Sequence, residues 1–146
     1  MNLTYRLAER RAGNKPVRAA LIGAGKFGSM FLSQVPTIAG LEVSAILDLD
    51  PDRARTACRN VGWDDARIAA TRFTTSAADI FEDAFTDVVV EATGNPAAGI
   101  AHALAAIEAR KPIVMVNVEA DALAGAVVPS RVTVAGKLAN GMSTGQ

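Results

Sequence analysis

The amino-acid sequence predicts an α/β protein in which a doubly wound parallel sheet forms the middle of three layers. Two observations lead to this prediction. Short runs of β-branched and other apolar residues alternate along the 146-residue chain with segments of helical periodicity. These runs are apolar at successive positions rather than at alternate ones, which is typical of parallel strands that helices cover on both faces.

The apolar runs define six predicted strands of unequal clarity. The run that begins at Val88 is the clearest, whereas the strand near Arg72 and Phe73 rests on a weak pattern. The sixth strand is a candidate only, in the last part of the chain. The predicted strands are 17–22, 41–47, 72–73, 88–92, 113–118 and 131–135.

Five helices are predicted from apolar residues that recur at spacings of three and four. Asp50-Pro51 and Asn95-Pro96 mark two helix starts, because a capping side chain precedes a proline at the first helical position. Residues 61–71 show no clear period, and we predict a loop there. The predicted helices are 3–12, 26–35, 51–60, 76–84 and 96–110.

One domain of ordinary size accounts for most of the chain. We assign residues 17–125 to this domain, residues 1–16 to an N-terminal extension and residues 126–146 to a tail. The tail contains the candidate sixth strand, and we expect it to be disordered beyond that strand.

The composition argues against several classes of protein. Lys plus Arg and Asp plus Glu each number 15, so the chain lacks the net positive charge typical of proteins that bind nucleic acid or an anionic membrane. Cys58 is the single cysteine, which excludes an internal disulfide and suits a small buried apolar role. No segment approaches the roughly 20 apolar residues that span a bilayer, and residues 1–16 do not resemble a signal peptide. We therefore expect a cytoplasmic protein.

A glycine motif follows the first predicted strand and opens the next helix. Gly23, Gly25 and Gly28 have the spacing G-x-G-x-x-G, and this strand–loop–helix context is the one that a dinucleotide-binding fold of the Rossmann type requires. The first glycine permits the turn, the second lets a pyrophosphate approach the backbone, and the third lets the helix lie close to the sheet. The predicted cofactor-binding residues of this segment are Gly23, Ala24, Gly25, Lys26, Phe27 and Gly28.

Asp48 completes the motif, because it ends the second strand 20 residues after Gly28. A carboxylate there accepts hydrogen bonds from the adenosine ribose, and its charge favours NAD over NADP. Arg53 or Arg55, on the next helix, could instead hold the 2′-phosphate of NADP. The alternatives are a chance acidic cap at Asp48 and a solvated helix face at the arginines. The cofactor prediction is NADP or NAD, with a slight preference for NAD from the sequence alone.

Two further groups of polar residues follow later strands. Thr93, Gly94 and Asn95 leave the fourth strand, where they would line the nicotinamide side; the alternative is a helix cap and turn, and both can hold together. Asn117 lies near the end of the fifth predicted strand and is a further predicted cofactor-binding residue. Glu119 and Asp121 come after that strand and are weak candidates for contact with a substrate or a metal. We predict no metal for this chain.

The sequence assigns no catalytic residue. His102 is the only histidine, and a catalytic histidine needs a partner that the sequence does not reveal. We therefore expect it to have an ordinary packing or surface role.

Three stretches carry a resemblance to a known family. Residues 21–28, 90–94 and 115–121 resemble the NAD(P)-binding domain of homoserine-dehydrogenase-like oxidoreductases. Residues 115–121, together with the N-terminal segment 5–10, look most like the deoxyxylulose-phosphate-reductoisomerase-like branch. That resemblance implies an NADPH-dependent enzyme of isoprenoid biosynthesis that acts on deoxyxylulose phosphate.

The chain departs from that family at two places. The lysine that follows the asparagine in homoserine dehydrogenases is replaced by Val118, which argues against homoserine dehydrogenase chemistry. Family members also continue with a substrate-binding and oligomerisation domain, whereas this sequence ends at Gln146. We therefore expect a truncated member.

Three functional hypotheses remain open. The chain is the cofactor domain of an oxidoreductase, either reductoisomerase-like or of the homoserine dehydrogenase type; or a free-standing dinucleotide-binding module without catalysis; or a remnant that binds no cofactor. We expect a nicotinamide dinucleotide as its partner, a small-molecule substrate only with a further domain, and no nucleic acid or membrane. The oligomeric state is left open.

Overall fold

The computed structural model describes residues 3–13, 15–116 and 132–134, and it confirms the predicted Rossmann-type α/β fold. The described strands form one six-stranded sheet in the order β3-β2-β1-β4-β5-β6, in which every neighbouring pair is parallel. The strands are β1 Val17–Ile22, β2 Leu41–Leu47, β3 Arg72–Thr74, β4 Val88–Glu91, β5 Ile113–Met115 and β6 Val132–Val134.

In the described part of the chain, helices connect the strands from β1 to β5 on both faces of this sheet. A 3-10 turn, Val35–Thr37, extends the second helix. The helices are α1 Leu3–Ala12, α2 Lys26–Gln34, α3 Pro51–Asn60, α4 Asp65–Ala69, α5 Ala78–Phe81 and α6 Pro96–Glu108.

Two apolar clusters show why the strands are apolar at successive positions. Ile22 and Leu47 face the cluster that contains residues of α5 and α6. Leu21 and Ile46, their neighbours in sequence, face the other cluster, which contains residues of α2, α3 and α4. Because both faces of the sheet are buried, the three-layer arrangement follows directly from the sequence pattern.

The strand order reverses between β1 and β4. From β1 the chain proceeds outward through β2 to β3, and it then returns across the sheet to place β4 on the other side of β1. In doubly wound sheets, ligands bind outside the carboxyl ends of the strands at this switch point. The residues that follow β1, β2 and β4 are therefore the candidates for a ligand-binding site.

The predicted loop at 61–71 is wrong in its middle, which forms α4. Asp64 caps this short helix by accepting a hydrogen bond from the Arg67 amide at 2.8 Å. The other differences are at element ends. Helix α5 is shorter than predicted, and α6 ends at Glu108, shortly before Arg110 adopts a left-handed φ of 57°.

The tail contributes β6 where the candidate sixth strand was expected. Its remaining residues lie outside the described part of the chain, so the expectation of disorder and the assigned domain bounds stay predictions. Among the described residues, no helix is long and apolar enough to cross a membrane. Cys58 is buried as expected, and burial raises the pKa of its thiol to about 11.

Candidate functional site

Three loops meet at the carboxyl edge of the sheet. The strand register places Ile22 beside Leu47 on one side and beside Glu91 on the other. Backbone hydrogen bonds tie the loops together: the Gly23 amide donates to the Leu47 carbonyl, and the Ala92 amide donates to the Ile22 carbonyl, both at 2.8 Å. The residues that follow β1, β2 and β4 therefore share one crevice.

Two glycines of the motif are required by close backbone approaches. A Cβ on Gly23, whose φ is +92°, would lie 2.9 Å from the carbonyl oxygen of Ala92 and 3.0 Å from the Cα of Thr93. A Cβ on Gly28 would lie only 1.9 Å from the carbonyl oxygen of Gly23. Gly23 thus lets the β1–α2 loop lie against the β4–α6 loop, and Gly28 lets α2 pack directly on the β1–α2 loop.

Gly25 differs from these two glycines because the space beside it is open. Among the described residues, no atom lies within 4 Å of the position that its Cβ would occupy, and it is the N-cap residue of α2. No side chain in the described part of the chain caps the helix start, and the first turn contains no acidic residue. Lys26 and Phe27 are exposed in that turn. Free helix-start amides beside an open backbone position are the arrangement that binds phosphate groups.

Asp48 has more protein contacts than the sequence suggested. Its side chain is only 1% exposed, and it accepts hydrogen bonds from the amides of Ala24 and Asp50, each at 2.9 Å. Burial would raise the pKa of Asp48. The hydrogen bonds from Ala24, Asp50 and Arg53 outweigh that effect and hold its pKa below the ordinary value of 3.8. Asp48 is therefore charged at neutral pH, and the amide of Ala24 already donates its hydrogen bond to this carboxylate.

Arg53 pairs with this carboxylate, whereas Arg55 does not. One guanidinium nitrogen of Arg53 lies 2.8 and 3.0 Å from the two Asp48 oxygens, while 61% of the Arg53 side chain remains exposed. Arg55 instead bonds Asp52 at 2.9 Å and lies over the ring of Phe73, 4.7 Å from its centroid. Of the two arginines considered from the sequence, only Arg53 lies beside Asp48.

Glu91 is the residue that sequence reasoning missed. It is wholly buried at the end of β4, where its Oε1 accepts hydrogen bonds from the amide and the hydroxyl of Thr93. Its Oε2 contacts Nδ1 of His102, so the structure supplies the histidine partner that the sequence did not reveal. The available signal was the charge itself, because a carboxylate that ends an apolar strand must be paired when it is buried.

The loop after β4 has a structural role and an exposed surface at once. Asn95 caps α6 by accepting a hydrogen bond from the Ala98 amide at 3.0 Å, and Gly94 has a φ of +70°. Thr93, Gly94 and Asn95 are nevertheless exposed at the crevice. The helix-cap alternative is thus present in the structure, and it leaves these residues accessible to a ligand.

Three candidates cannot be placed, because Asn117, Glu119 and Asp121 lie outside the described residues. The Val116 amide donates to the Glu91 carbonyl at 2.8 Å, which brings the end of β5 beside β4. Within the described ranges, no group of three or more His, Cys, Asp or Glu side chains is arranged to hold a metal ion.

Comparison with known proteins gives a family match over most of the chain. The family described as homoserine dehydrogenase, NAD binding domain, matches residues 23–128. No curated protein matches the chain. The match begins at Gly23 and includes both the glycine motif and the three candidate residues that lie outside the described part of the chain.

Solved structures share the fold at low sequence identity. The chain is 19% identical to myo-inositol dehydrogenase from Lactobacillus casei in complex with NAD(H) and myo-inositol, with a TM-score of 0.63 over 82% of this chain and 36% of that one. It is 18% identical to a myo-inositol dehydrogenase from Corynebacterium glutamicum, with a TM-score of 0.62 over 82% and 35%. It is 26% identical to levoglucosan dehydrogenase in complex with NADH, with a TM-score of 0.55 over 77% and 32%. The chain thus spans about a third of each of these proteins.

The two glycine environments predict opposite outcomes for two substitutions. Gly25→Val projects into open space, so it should cost less than about 1 kcal/mol of unfolding free energy but block the approach of a pyrophosphate. Gly28→Ala collides with the Gly23 carbonyl and should cost about 1–3 kcal/mol. Urea unfolding and titration with a nicotinamide dinucleotide measure both effects. Unchanged dinucleotide affinity in Gly25→Val would show that the pyrophosphate lies elsewhere.

Proposed function

This chain belongs to the family of homoserine dehydrogenase NAD-binding domains, and we propose that it holds the dinucleotide of an NADP(H)-dependent oxidoreductase at the carboxyl edge of its sheet. As a member of that family, it is an NAD(P)-binding domain of an oxidoreductase. The proposal adds three points: the residues that bind the cofactor, the preference for NADP(H) and the reaction in which the cofactor takes part.

The observation that carries the placement is the open start of α2 beside Gly25. We assign the pyrophosphate to this position, since its negative charge suits the helix-start amides. Asp48, after β2, is then on the adenosine side of Gly25, and Thr93 to Asn95, after β4, are on the nicotinamide side. This direction agrees with the general binding mode at the switch point of doubly wound sheets.

The pairing of Asp48 with Arg53 supports the preference for NADP(H). Four hydrogen bonds reach the two carboxylate oxygens, so a ribose hydroxyl can bind there only by displacing a donor. Arg53 also compensates the negative charge that would repel a 2′-phosphate. Its guanidinium is largely exposed and can form the charge-assisted hydrogen bonds that phosphate favours. The structure therefore supports NADP(H), against the slight preference for NAD drawn from the sequence.

The substrate side of the reaction is assigned to residues beyond the cofactor domain. The nicotinamide carries the hydride, and the protein must hold a substrate against it at reaction distance. The chain spans about a third of the inositol and levoglucosan dehydrogenases it resembles, so we expect a further domain or partner to form the opposite wall. A cytoplasmic location remains part of the proposal.

For the reaction itself, we place the reductoisomerase-like branch first. Its support is the resemblance of residues 115–121 and the NADP(H) preference argued above. The homoserine dehydrogenase type stands second, because Val118 replaces the lysine expected beside Asn117. A polyol or sugar dehydrogenase, as among the structural neighbours, is a third candidate that rests on fold likeness alone.

Cofactor binding and turnover can be measured separately on the 146-residue chain. We expect NADPH to bind with a dissociation constant on the order of micromolar, and we expect neither deoxyxylulose phosphate nor aspartate semialdehyde to oxidise it. Fluorescence titration and absorbance of the nicotinamide provide the two readouts, with Gly25→Val as the control. Substrate-dependent oxidation that Gly25→Val abolishes would show that the substrate wall lies within this chain. Absence of NADPH binding would contradict the proposed function.

Arg53 and Arg55 form a matched pair for testing cofactor preference. Arg53→Ala should lower the affinity for NADPH about tenfold relative to the affinity for NADH, because a charged hydrogen bond to the 2′-phosphate is lost. Arg55→Ala should leave the ratio unchanged, since that guanidinium bonds Asp52. Asp48→Ala is less informative, because it also removes the acceptor for two backbone amides. An NADPH-to-NADH ratio that Arg53→Ala does not change would refute this role.

A further inference from the structure

We propose that Glu91 is a positioning residue for the nicotinamide half of the cofactor, and that His102 acts through it. This inference rests on the proposed function, because it assumes that the nicotinamide side of the dinucleotide lies along residues 93–95. Glu91 is buried beneath that loop and does not itself reach the crevice. Its effect is exerted through the conformation of Thr93.

The hydrogen bonds of Glu91 form a continuous path from α6 to the loop. Nδ1 of His102 contacts one carboxylate oxygen, and the other oxygen accepts both the amide and the hydroxyl of Thr93. The hydroxyl oxygen of Thr93 in turn accepts the amide of Asn95 at 3.2 Å. One buried carboxylate therefore determines the backbone conformation of the exposed segment 93–95.

Burial makes this path sensitive to the loss of any member. The Glu91 side chain is 0% exposed, and a buried carboxylate is costly unless hydrogen-bond donors satisfy it. His102 is 16% exposed in its side chain and is stacked on Phe81, with ring centroids 6.3 Å apart. Packing against Phe81 thus fixes the position of the imidazole. The imidazole contacts Glu91 Oε2, so Oε1 remains available to accept the hydrogen bonds of Thr93.

The position of Thr93 matters because it borders the glycine loop. Its Cα lies 3.0 Å from the point that a Cβ on Gly23 would occupy, so a shift of Thr93 changes the crevice beside that loop. The adenosine side depends on a different carboxylate, Asp48, which follows β2 on the opposite side of β1. Loss of Glu91 or His102 should therefore weaken binding of the nicotinamide half while sparing the adenosine half.

The test compares two ligands that differ only by the nicotinamide end: NADPH and 2′-phospho-ADP-ribose. His102→Leu removes the group that contacts Glu91. The substitution should lower the affinity for NADPH about tenfold and change the affinity for 2′-phospho-ADP-ribose by less than about twofold. His102→Asn places an amide donor near the position of Nδ1 and should restore NADPH affinity. Leu104→Ala, an exposed site on the same helix, is the matched control and should change neither affinity. Calorimetric titration of the folded chain measures each value.

A second pair of variants covers the case in which His102→Leu does not fold. Thr93 is exposed, so Thr93→Val, which lacks the hydroxyl, should fold and lose NADPH affinity selectively. Thr93→Ser keeps the hydroxyl and should retain that affinity. Equal losses for both ligands, or no loss in Thr93→Val, would overturn the role of Glu91. A wild-type chain that binds neither ligand would overturn the proposed function, and this inference with it.

Discussion

The contact between Gly28 and the carbonyl of Gly23 is the constraint on which the rest of the site depends. A single added Cβ would come within 1.9 Å of that carbonyl oxygen, so helix α2 can approach the β1–α2 loop only because residue 28 has no side chain. This approach directs the start of α2 toward the crevice. Gly23 extends the same close packing to the β4–α6 loop, and Gly25 is left as the open position between them.

Two buried carboxylates hold the loops on either side of this contact. Asp48 accepts the Ala24 amide and so fastens the glycine loop to the end of β2, and Glu91 accepts the Thr93 amide and fastens the loop after β4. Each is partnered by one basic side chain, Arg53 or His102. Buried carboxylates need such donors, so the chemistry that stabilises the loops also preorganises the crevice. Under the proposed function, fold stability and cofactor placement therefore depend on the same residues.

The sequence predicted the sheet well because its information is local. The bounds of β1 and β2 match the predicted ones, since uniform apolar runs and the glycine motif act within a few residues. Helix α4 was missed because its five residues offer too few positions to show a period. The pairing of Glu91 with His102 joins residues eleven positions apart through the packing of α6 on β4, which no local pattern encodes. The choice between Arg53 and Arg55 likewise depended on helix phase, because residues two apart do not share a face.

Under the proposed function, the dinucleotide lies at the carboxyl edge of the sheet, with its pyrophosphate at Gly25. The most direct measurement is the change in backbone amide NMR shifts when NADPH is added to the labelled chain. The largest changes should occur from Gly25 to Phe27 and from Thr93 to Asn95. Among the described residues, two open clefts lined by Glu42 and Arg67 lie at the amino edge of the sheet, and the amide shifts there should remain unchanged. Shift changes concentrated around Glu42 and Arg67, with none at the glycine loop, would contradict this placement of the dinucleotide.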